Sequence, residues 1–369
     1  MTVADKLARQ GPRRLLALDG GGIRGLITIE LLAEVERCLR ERLRAPDVVL
    51  ADYFDYIAGT STGGIIAALL SLGLPVERVR QFYLEQGRNM FRRPFAPWRF
   101  FRSLYRESNL SAVLRDIFGP DTTLGSDRLR TLLLLVMRNA DTDSPWPLSN
   151  NPAAKYNDRA LAHCNLDLPL WKLVRASTAA PVYFTPQQLR LGKASFAFVD
   201  GGMTSYNNPA FLLFLMASLP PYRLCWPVGE ERMLLVSVGT GATPRPGAAR
   251  NVMSAVFSVL MDPRYAALVE QDFLCRVFGR CRVGGPIDGE VGDLKEMTSP
   301  FPKLFSYARY NAELSTAGLE ALGLAELNPA QLRRMDSVKY VEGLMRVGRE
   351  VARHQVSASH FEGFLDATP

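Results

Sequence analysis

The chain has 369 residues, of which 47% are hydrophobic and 22% are charged. These values are close to globular averages, so they exclude a disordered, collagen-like or low-complexity chain. Lys and Arg number 44 against 37 Asp and Glu, a net charge of +7. This mild excess fits an anionic partner such as a membrane surface, a nucleic acid or a phosphorylated ligand, and it also fits an ordinary solvated surface.

Histidine and cysteine usage narrows the chemistry. The three histidines, His163, His354 and His360, leave few candidates for a histidine base or a histidine-rich metal site. The five cysteines are scattered without a CxxC pair, which predicts no zinc site and no disulfide framework and indicates a reduced, cytoplasmic protein. We recognise no secretory signal at the N-terminus, and no apolar run approaches the roughly 20 residues of a membrane span.

The first part of the chain alternates predicted strands and helices. A short apolar run at 15–18 predicts a buried strand that ends at a glycine-rich turn, and apolar residues at helical spacing follow over 26–44. A second strand at 56–58 enters another glycine-rich turn, and 65–72 and 76–90 are predicted helices. Each of these two strands therefore leads through glycines into a helix.

Three further apolar runs predict strands, at 131–137, 196–199 and 233–238. Strands that alternate with helices predict an α/β fold with a mostly parallel central sheet flanked by helices. We expect a core over residues 1–250 and a largely helical C-terminal segment, 251–369, packed on that core and not an independent domain.

A GxSxG pentapeptide, Gly59-Thr60-Ser61-Thr62-Gly63, lies between a predicted strand and a predicted helix. A serine on such a tight turn projects its hydroxyl from the backbone, and the glycines leave room for the turn and for a substrate. The following helix directs N–H groups and the positive end of its dipole toward the serine. The pattern favours a nucleophilic Ser61 over a structural turn.

A second glycine-rich turn spans residues 19–25 and also joins a strand to a helix. Its successive glycines, Gly20, Gly21 and Gly22, can present N–H groups to an oxyanion without side-chain obstruction. Arg24 adds a cation to the same turn.

A carboxylate, Asp200, ends the predicted strand at 196–199 and is followed by two glycines. At a strand end it can approach Ser61 and act as its general base, although an aspartate in a turn is more often only structural. A free aspartate has a pKa of about 3.9 and is a weak base for serine unless it is desolvated.

These blocks, in this order, resemble the patatin-like phospholipase family, lipolytic acyl hydrolases with a Ser–Asp dyad. Residues 52–55, which lead into the GxSxG pentapeptide, and the Ala-Ser-Thr-Ala-Ala-Pro block at 176–181 extend the resemblance to about residues 14–241. The resemblance implies Ser61 as nucleophile, Asp200 as base, and the backbone of Gly20–Gly22 with Arg24 nearby as the oxyanion site. It also implies a phospholipid or other lipid ester as substrate and no cofactor or metal.

Two alternatives stay open at this point. Residues 20–25 match GxGxxG, so they fit a nucleotide-binding module in which Asp52 or Asp55 supplies the ribose-binding acid, but this leaves the GxSxG pentapeptide unexplained. An α/β-hydrolase with a Ser-Asp-His triad needs a histidine after Asp200, and His354 and His360 meet that order.

The segment 88–106 carries six arginines and six aromatic residues and no acid. This composition suits the headgroup region of an anionic bilayer, so we expect peripheral contact with the inner membrane surface through Phe95, Trp98, Arg99 and Phe101. Core packing with solvated arginines explains the segment equally well, and no nucleic-acid partner is expected.

Some bacterial members of the family are switched on by cyclic oligonucleotides, and the size and glycine block of this chain are similar to theirs. The resemblance therefore implies a cyclic-oligonucleotide activator as a further partner. Arg276, Arg280 and Arg282 are candidates for its site, although a solvated face is the commoner role for such arginines.

Overall fold

The computed structural model describes residues 1–91, 107–181, 184–242, 252–334 and 338–365. The strands are β1 (Arg13–Leu18), β2 (Tyr56–Thr60), β3 (Leu132–Asn139), β4 (Ser144–Ser149), β5 (Gln187–Leu191), β6 (Ala194–Asp200), β7 (Met233–Val238), β8 (Gly279–Val283) and β9 (Phe305–Tyr310). The helices are α1 (Val3–Ala8), α2 (Gly25–Leu43), α3 (Leu50–Tyr53), α4 (Thr62–Ser71), α5 (Val76–Phe91), α6 (Glu107–Phe118), α7 (Leu170–Ser177), α8 (Ala210–Ser218), α9 (Val252–Phe278), α10 (Thr316–Ala321), α11 (Pro329–Leu332) and α12 (Val341–Gln355).

All of these strands join one sheet in the order β5-β6-β3-β2-β1-β7-β9-β8, with β4 paired to β3. The six strands from β3 to β8 in this order are parallel to one another. β4 and β6 run antiparallel to β3, and β5 runs antiparallel to β6. The prediction of a mostly parallel sheet flanked by helices is therefore confirmed.

Helices cover both faces of the sheet, which explains why the central parallel strands β1, β2, β3 and β7 are largely apolar. In β1, Leu16 and Leu18 pack into a core with residues of α2, α4, α5 and α12. Leu15 and Ala17 point to the other face, where α8 and the end of α9 cover them. All four side chains are fully buried.

The C-terminal residues contribute to this sheet as well as to the helical layer. β9 pairs with β7, and β8 extends the sheet beyond β9. A Cβ atom on Gly348 of α12 would lie 2.7 Å from the Glu30 Cβ atom of α2, so the two helices pack closely. The division into a core over 1–250 and a C-terminal segment over 251–369 stays a prediction. The strands β8 and β9 were not predicted, since both are short and β9 contains polar residues.

The register of β3 positions two strand ends next to each other. One edge of β3 pairs with β4 from Leu134 to Asn139. The other edge pairs with β2 up to Thr60, opposite Val136, and then with β6, whose last residue Asp200 lies opposite Met137. Asp200 therefore stands where β2 would continue, beside the turn that follows Thr60.

Candidate active site

Ser61 occupies a strained turn between β2 and α4. Its φ of 55° and ψ of −123° lie in a region that residues with a side chain rarely adopt. The turn is tight enough to demand glycine on both sides, because a Cβ on Gly59 would lie 2.1 Å from the Gly63 carbonyl oxygen and one on Gly63 would lie 2.3 Å from that of Leu18. Strain of this kind persists where the surroundings hold it, and it is frequent at functional sites.

The Ser61 hydroxyl donates a hydrogen bond to the Asp200 carboxylate, with 2.7 Å between Oγ and Oδ2. Only 3% of Asp200 is exposed, whereas Ser61 is partly exposed. The other carboxylate oxygen, Oδ1, accepts the Gly202 N–H at 2.7 Å. The carboxylate is thus fixed by the backbone on one side and aimed at the serine hydroxyl on the other.

Ser177, at the end of α7, holds the Ser61 backbone. Its hydroxyl accepts the Ser61 N–H at 3.0 Å and donates to the Val136 carbonyl at 2.6 Å. Sequence reasoning noted the Ala-Ser block that contains Ser177 but gave this residue no role. Because it joins the strained turn to β3, Ser177 is a positioning residue for Ser61.

Replacing Ser177 by alanine is expected to leave the partly buried Ser61 N–H without this partner and to lower the free energy of unfolding by about 1–3 kcal/mol. Ester hydrolysis is expected to fall as well, because the turn loses its anchor. Ser71→Ala is the matched control, since Ser71 is equally buried and hydrogen-bonded, to Thr131, at the far end of α4. Denaturant unfolding and turnover measured on both variants decide the matter: equal turnover in the two would contradict the role of Ser177.

The glycine-rich turn after β1 lies against this pair. A Cβ on Gly20 would lie 3.2 Å from the Ser61 Cβ atom. The Gly20 N–H donates to the Asn207 carbonyl at 3.0 Å. Within the described residues, the N–H groups of Gly21 and Gly22 donate to no protein acceptor. The oxyanion role of this turn stays a prediction, and these two N–H groups are the candidates for it.

Arg24 connects the glycine-rich turn after β1 to the turn after β7. Its guanidinium donates to the Gly241 carbonyl at 2.9 Å and lies 3.4 Å from the Gly21 carbonyl oxygen. The Thr240 hydroxyl donates to the Gly20 carbonyl at 3.0 Å. The turn after β7 therefore supports the turn after β1.

The two threonines that flank Ser61 have structural contacts. The Thr60 hydroxyl donates to the Tyr206 carbonyl at 2.6 Å, and the Thr62 hydroxyl lies 2.5 Å from the Tyr83 hydroxyl. Burial raises the pKa of Tyr83, so its hydroxyl keeps its proton and donates to the Thr62 carbonyl. These bonds hold the turn on both sides of the serine.

The histidines make contacts elsewhere. His163 is exposed near Gly192, and the exposed His354 pairs with the Glu350 carbonyl at 2.7 Å. His360 lies 3.0 Å from the Tyr310 hydroxyl, and burial together with nearby cations lowers its pKa. The hydrogen bonds of the described residues connect no histidine to Ser61 or Asp200, so the triad alternative has no support in the structure.

The two acids offered for nucleotide binding are at the wrong end of the sheet. Asp55 precedes β2 and is fully buried, where it accepts the Arg14 N–H and pairs with Arg9 at 3.0 Å. Asp52 pairs with Arg130 in the same region. A ribose-binding acid is expected at the carboxyl end of a strand, beside the glycine turn, so neither Asp52 nor Asp55 is placed to supply it.

The predicted membrane contact involves four residues. Phe95, Trp98, Arg99 and Phe101 lie outside the described residues. None of the helices in the described ranges combines the length and the apolar character needed to cross a bilayer.

The three candidate arginines lie in two different environments. The sequence suggested a solvated side chain for Arg276, but the structure buries it, and it pairs with Asp272 at 2.8 Å. Arg280 and Arg282 line a pocket of about 610 Å³ that also contains Lys295.

The chain is an α/β protein with a hydrogen-bonded Ser–Asp pair at the carboxyl edge of a mostly parallel sheet and a glycine-rich turn beside that pair. The chain belongs to the patatin-like phospholipase family, whose family model matches residues 16–214. The matched region contains Ser61, Asp200 and the turn at 19–25.

Individual relatives agree with this assignment. A cGAMP-activated phospholipase of Escherichia coli is 29% identical over 64% of this chain and 65% of its own length. Patatin-like protein 1 of Arabidopsis thaliana is 32% identical over 63% of this chain and 59% of its own. A cGAMP-activated phospholipase of Vibrio cholerae is 32% identical over 54% and 56%. The matches thus span less than two thirds of these relatives.

A search of solved structures finds VipD from Legionella pneumophila, with a TM-score of 0.39 and 13% identity over 94% of this chain and 67% of that one.

Proposed function

We propose that the protein is a lipid acyl hydrolase of the phospholipase A type, which cleaves carboxylic esters of phospholipids through Ser61 and Asp200. The observation that carries this proposal is the 2.7 Å hydrogen bond between the Ser61 hydroxyl and the buried Asp200 carboxylate at a strained strand-to-helix turn. Family membership supports the lipid ester as substrate.

The chemistry follows from the geometry of the pair. The Ser61 Oγ atom attacks the ester carbonyl carbon while its proton passes to Asp200 Oδ2, which already accepts that proton in a hydrogen bond. The carbonyl π electrons move to the oxygen and form an oxyanion. The N–H groups of Gly21 and Gly22, together with the amino end of α4, stabilise this charge.

The tetrahedral intermediate then collapses and the ester bond breaks. The lysolipid leaves as an alcohol after taking the proton from Asp200, and the acyl group remains on Ser61. Water then attacks the acyl carbon while one of its protons passes to Asp200. The second tetrahedral intermediate collapses, the bond to Ser61 Oγ breaks, that oxygen takes the proton back from Asp200, and the fatty acid is released. Burial of Asp200 keeps its interaction with the serine hydroxyl away from competing water.

Product profiling of a mixed phospholipid extract tests this proposal. The expected products are free fatty acids and lysophospholipids, and they are expected to be absent with Ser61→Ala. Release of diacylglycerol or of a free headgroup, with no fatty acid, would show that the enzyme cleaves a phosphoester bond and would overturn the proposal.

We also propose that a cyclic oligonucleotide activates the enzyme by binding the pocket at the start of β8. Two relatives are named cGAMP-activated phospholipases. Arg280, Arg282 and Lys295 line the pocket and suit a bridging phosphate, and three glutamates, Glu230, Glu231 and Glu296, line it as well. Arg280 forms only a long, exposed ion pair with Glu230, at 3.8 Å, which a phosphate can replace at small cost.

Addition of cGAMP is therefore expected to stimulate phospholipid hydrolysis by the wild type, and the double variant Arg280→Ala, Arg282→Ala is expected to lose most of that stimulation. Arg353→Ala, which changes an exposed arginine of α12, serves as control. Turnover with and without cGAMP is the measurement, and equal stimulation of the double variant and the control would contradict this site.

A further inference from the structure

A buried ion pair lies directly behind the glycine-rich turn. Asp19 is the residue before Gly20, and its two carboxylate oxygens accept hydrogen bonds from the Arg309 guanidinium at 2.9 and 2.6 Å. Arg309 comes from β9, and its side chain reaches past β7, where it also donates to the Ser237 hydroxyl at 2.7 Å. Both charged side chains are almost fully buried.

The pair is bidentate, so it fixes the orientation of the Asp19 carboxylate as well as its position. Burial raises the pKa of Asp19, and the charge of Arg309 opposes that shift. Arg309 itself is buried, but the Asp19 charge and hydrogen bonds keep its guanidinium protonated and raise its pKa. A buried ion pair is weak evidence for a contribution to stability. The informative feature of this pair is therefore its location, directly behind the glycine-rich turn at 19–25.

A second set of contacts reaches the same turn from the same end of the chain. The Asn311 side chain, just after β9, accepts the Gly241 N–H at 2.9 Å. The Gln355 amide bonds to both backbone groups of Asn311, at 3.1 and 3.0 Å. Gly241 in turn accepts Arg24. Residues beyond 214, where the family match ends, therefore support the turn at two points.

We propose that Arg309 is a positioning residue for ester hydrolysis, which holds Asp19 so that the Gly21 and Gly22 N–H groups face the oxyanion formed at Ser61. This inference rests on the proposed function. It assigns a catalytic contribution to the C-terminal third of the chain, where the sequence predicted no part of the catalytic site. Arg309 touches no substrate and acts only through the turn.

The test compares Arg309→Met and Arg309→Lys with Arg276→Met, because Arg276, also a described residue of the C-terminal third, likewise forms a buried ion pair with an aspartate. Arg309→Met is expected to lower kcat by roughly 10²-fold, the size of a lost oxyanion donor, with KM changed less than about threefold. Arg309→Lys is expected to regain part of kcat. Arg276→Met is expected to lose thermal stability to a similar extent while keeping kcat.

Equal kcat in the Arg309→Met and Arg276→Met variants would overturn the positioning role. If Arg309→Met does not fold, Arg309→Lys decides, and wild-type kcat in that variant would overturn the role as well. A wild type without ester hydrolysis is a different result, because it would overturn the proposed function and the inference built on it. An active wild type, an inactive Ser61→Ala and a fully active Arg309→Met would remove the inference alone.

Discussion

Replacing Ser61 by alanine is expected to reduce phospholipid hydrolysis by roughly 10⁴- to 10⁶-fold, the cost of removing the nucleophile from a covalent mechanism. The variant has no oxygen to form an acyl-enzyme, so the remaining rate comes from substrate binding and oxyanion stabilisation alone. Release of fatty acid from phospholipid vesicles over time measures the loss.

The fold of this variant is expected to survive, because the backbone N–H of residue 61 still donates to Ser177. Ser71→Ala provides a control for the loss of a buried serine hydroxyl. Ser61→Ala with more than a tenth of wild-type turnover, in a protein freed of contaminating lipases, would show that another group carries the reaction.

Replacing Asp200 by asparagine is expected to lower turnover by about 10²- to 10⁴-fold, the usual contribution of a general base. The asparagine amide has the shape of the carboxylate but does not accept the Ser61 proton. Its oxygen still accepts the Gly202 N–H, so stability is expected to stay near that of the wild type. Turnover and thermal unfolding are measured on the same preparation.

Asp200→Ala separates the two roles of this residue. It is expected to lose as much turnover as Asp200→Asn and, in addition, about 1 kcal/mol of stability from the lost cap of the short helix at 201–203. His354→Ala and His360→Ala are expected to keep turnover, since neither histidine reaches the pair. Loss of turnover in either histidine variant, with its fold intact, would favour a Ser-Asp-His triad.

The carboxyl edge of the sheet could be predicted because its signals are local. Apolar runs and glycine turns predicted the strands at 15–18, 56–58 and 233–238, and the structure places β1, β2 and β7 there with ends that differ by at most two residues. Strands buried on both faces need continuous apolar sequence, which is why these were recognisable.

The meeting of Ser61 and Asp200 depended on information that local sequence does not contain. Their separation is 139 residues, and they come together because β2 and β6 share one edge of β3. Strand order and register follow from the packing of the whole sheet. The family resemblance implied the pair from the order of the motifs, whereas the distance between the Ser61 hydroxyl and the Asp200 carboxylate comes from the structure.

The buried charged residues behind the site could not be predicted from sequence patterns. Arg309 lies in a strand with a polar sequence, and only the order β1-β7-β9 brings it to Asp19. Arg276 shows the converse, since its position in an arginine-rich stretch suggested a solvated side chain but the fold buries it with Asp272. Buried charge pairing is a property of tertiary structure, and residue type alone does not report it.

Labelling with a fluorophosphonate probe, followed by mass spectrometry of the modified peptide, tests the central claim most directly. The account predicts a single adduct on Ser61, slower labelling of Asp200→Asn, unchanged labelling of His354→Ala and His360→Ala, and no adduct in Ser61→Ala. An adduct on another serine, or undiminished labelling of Asp200→Asn, would contradict a Ser61–Asp200 nucleophile.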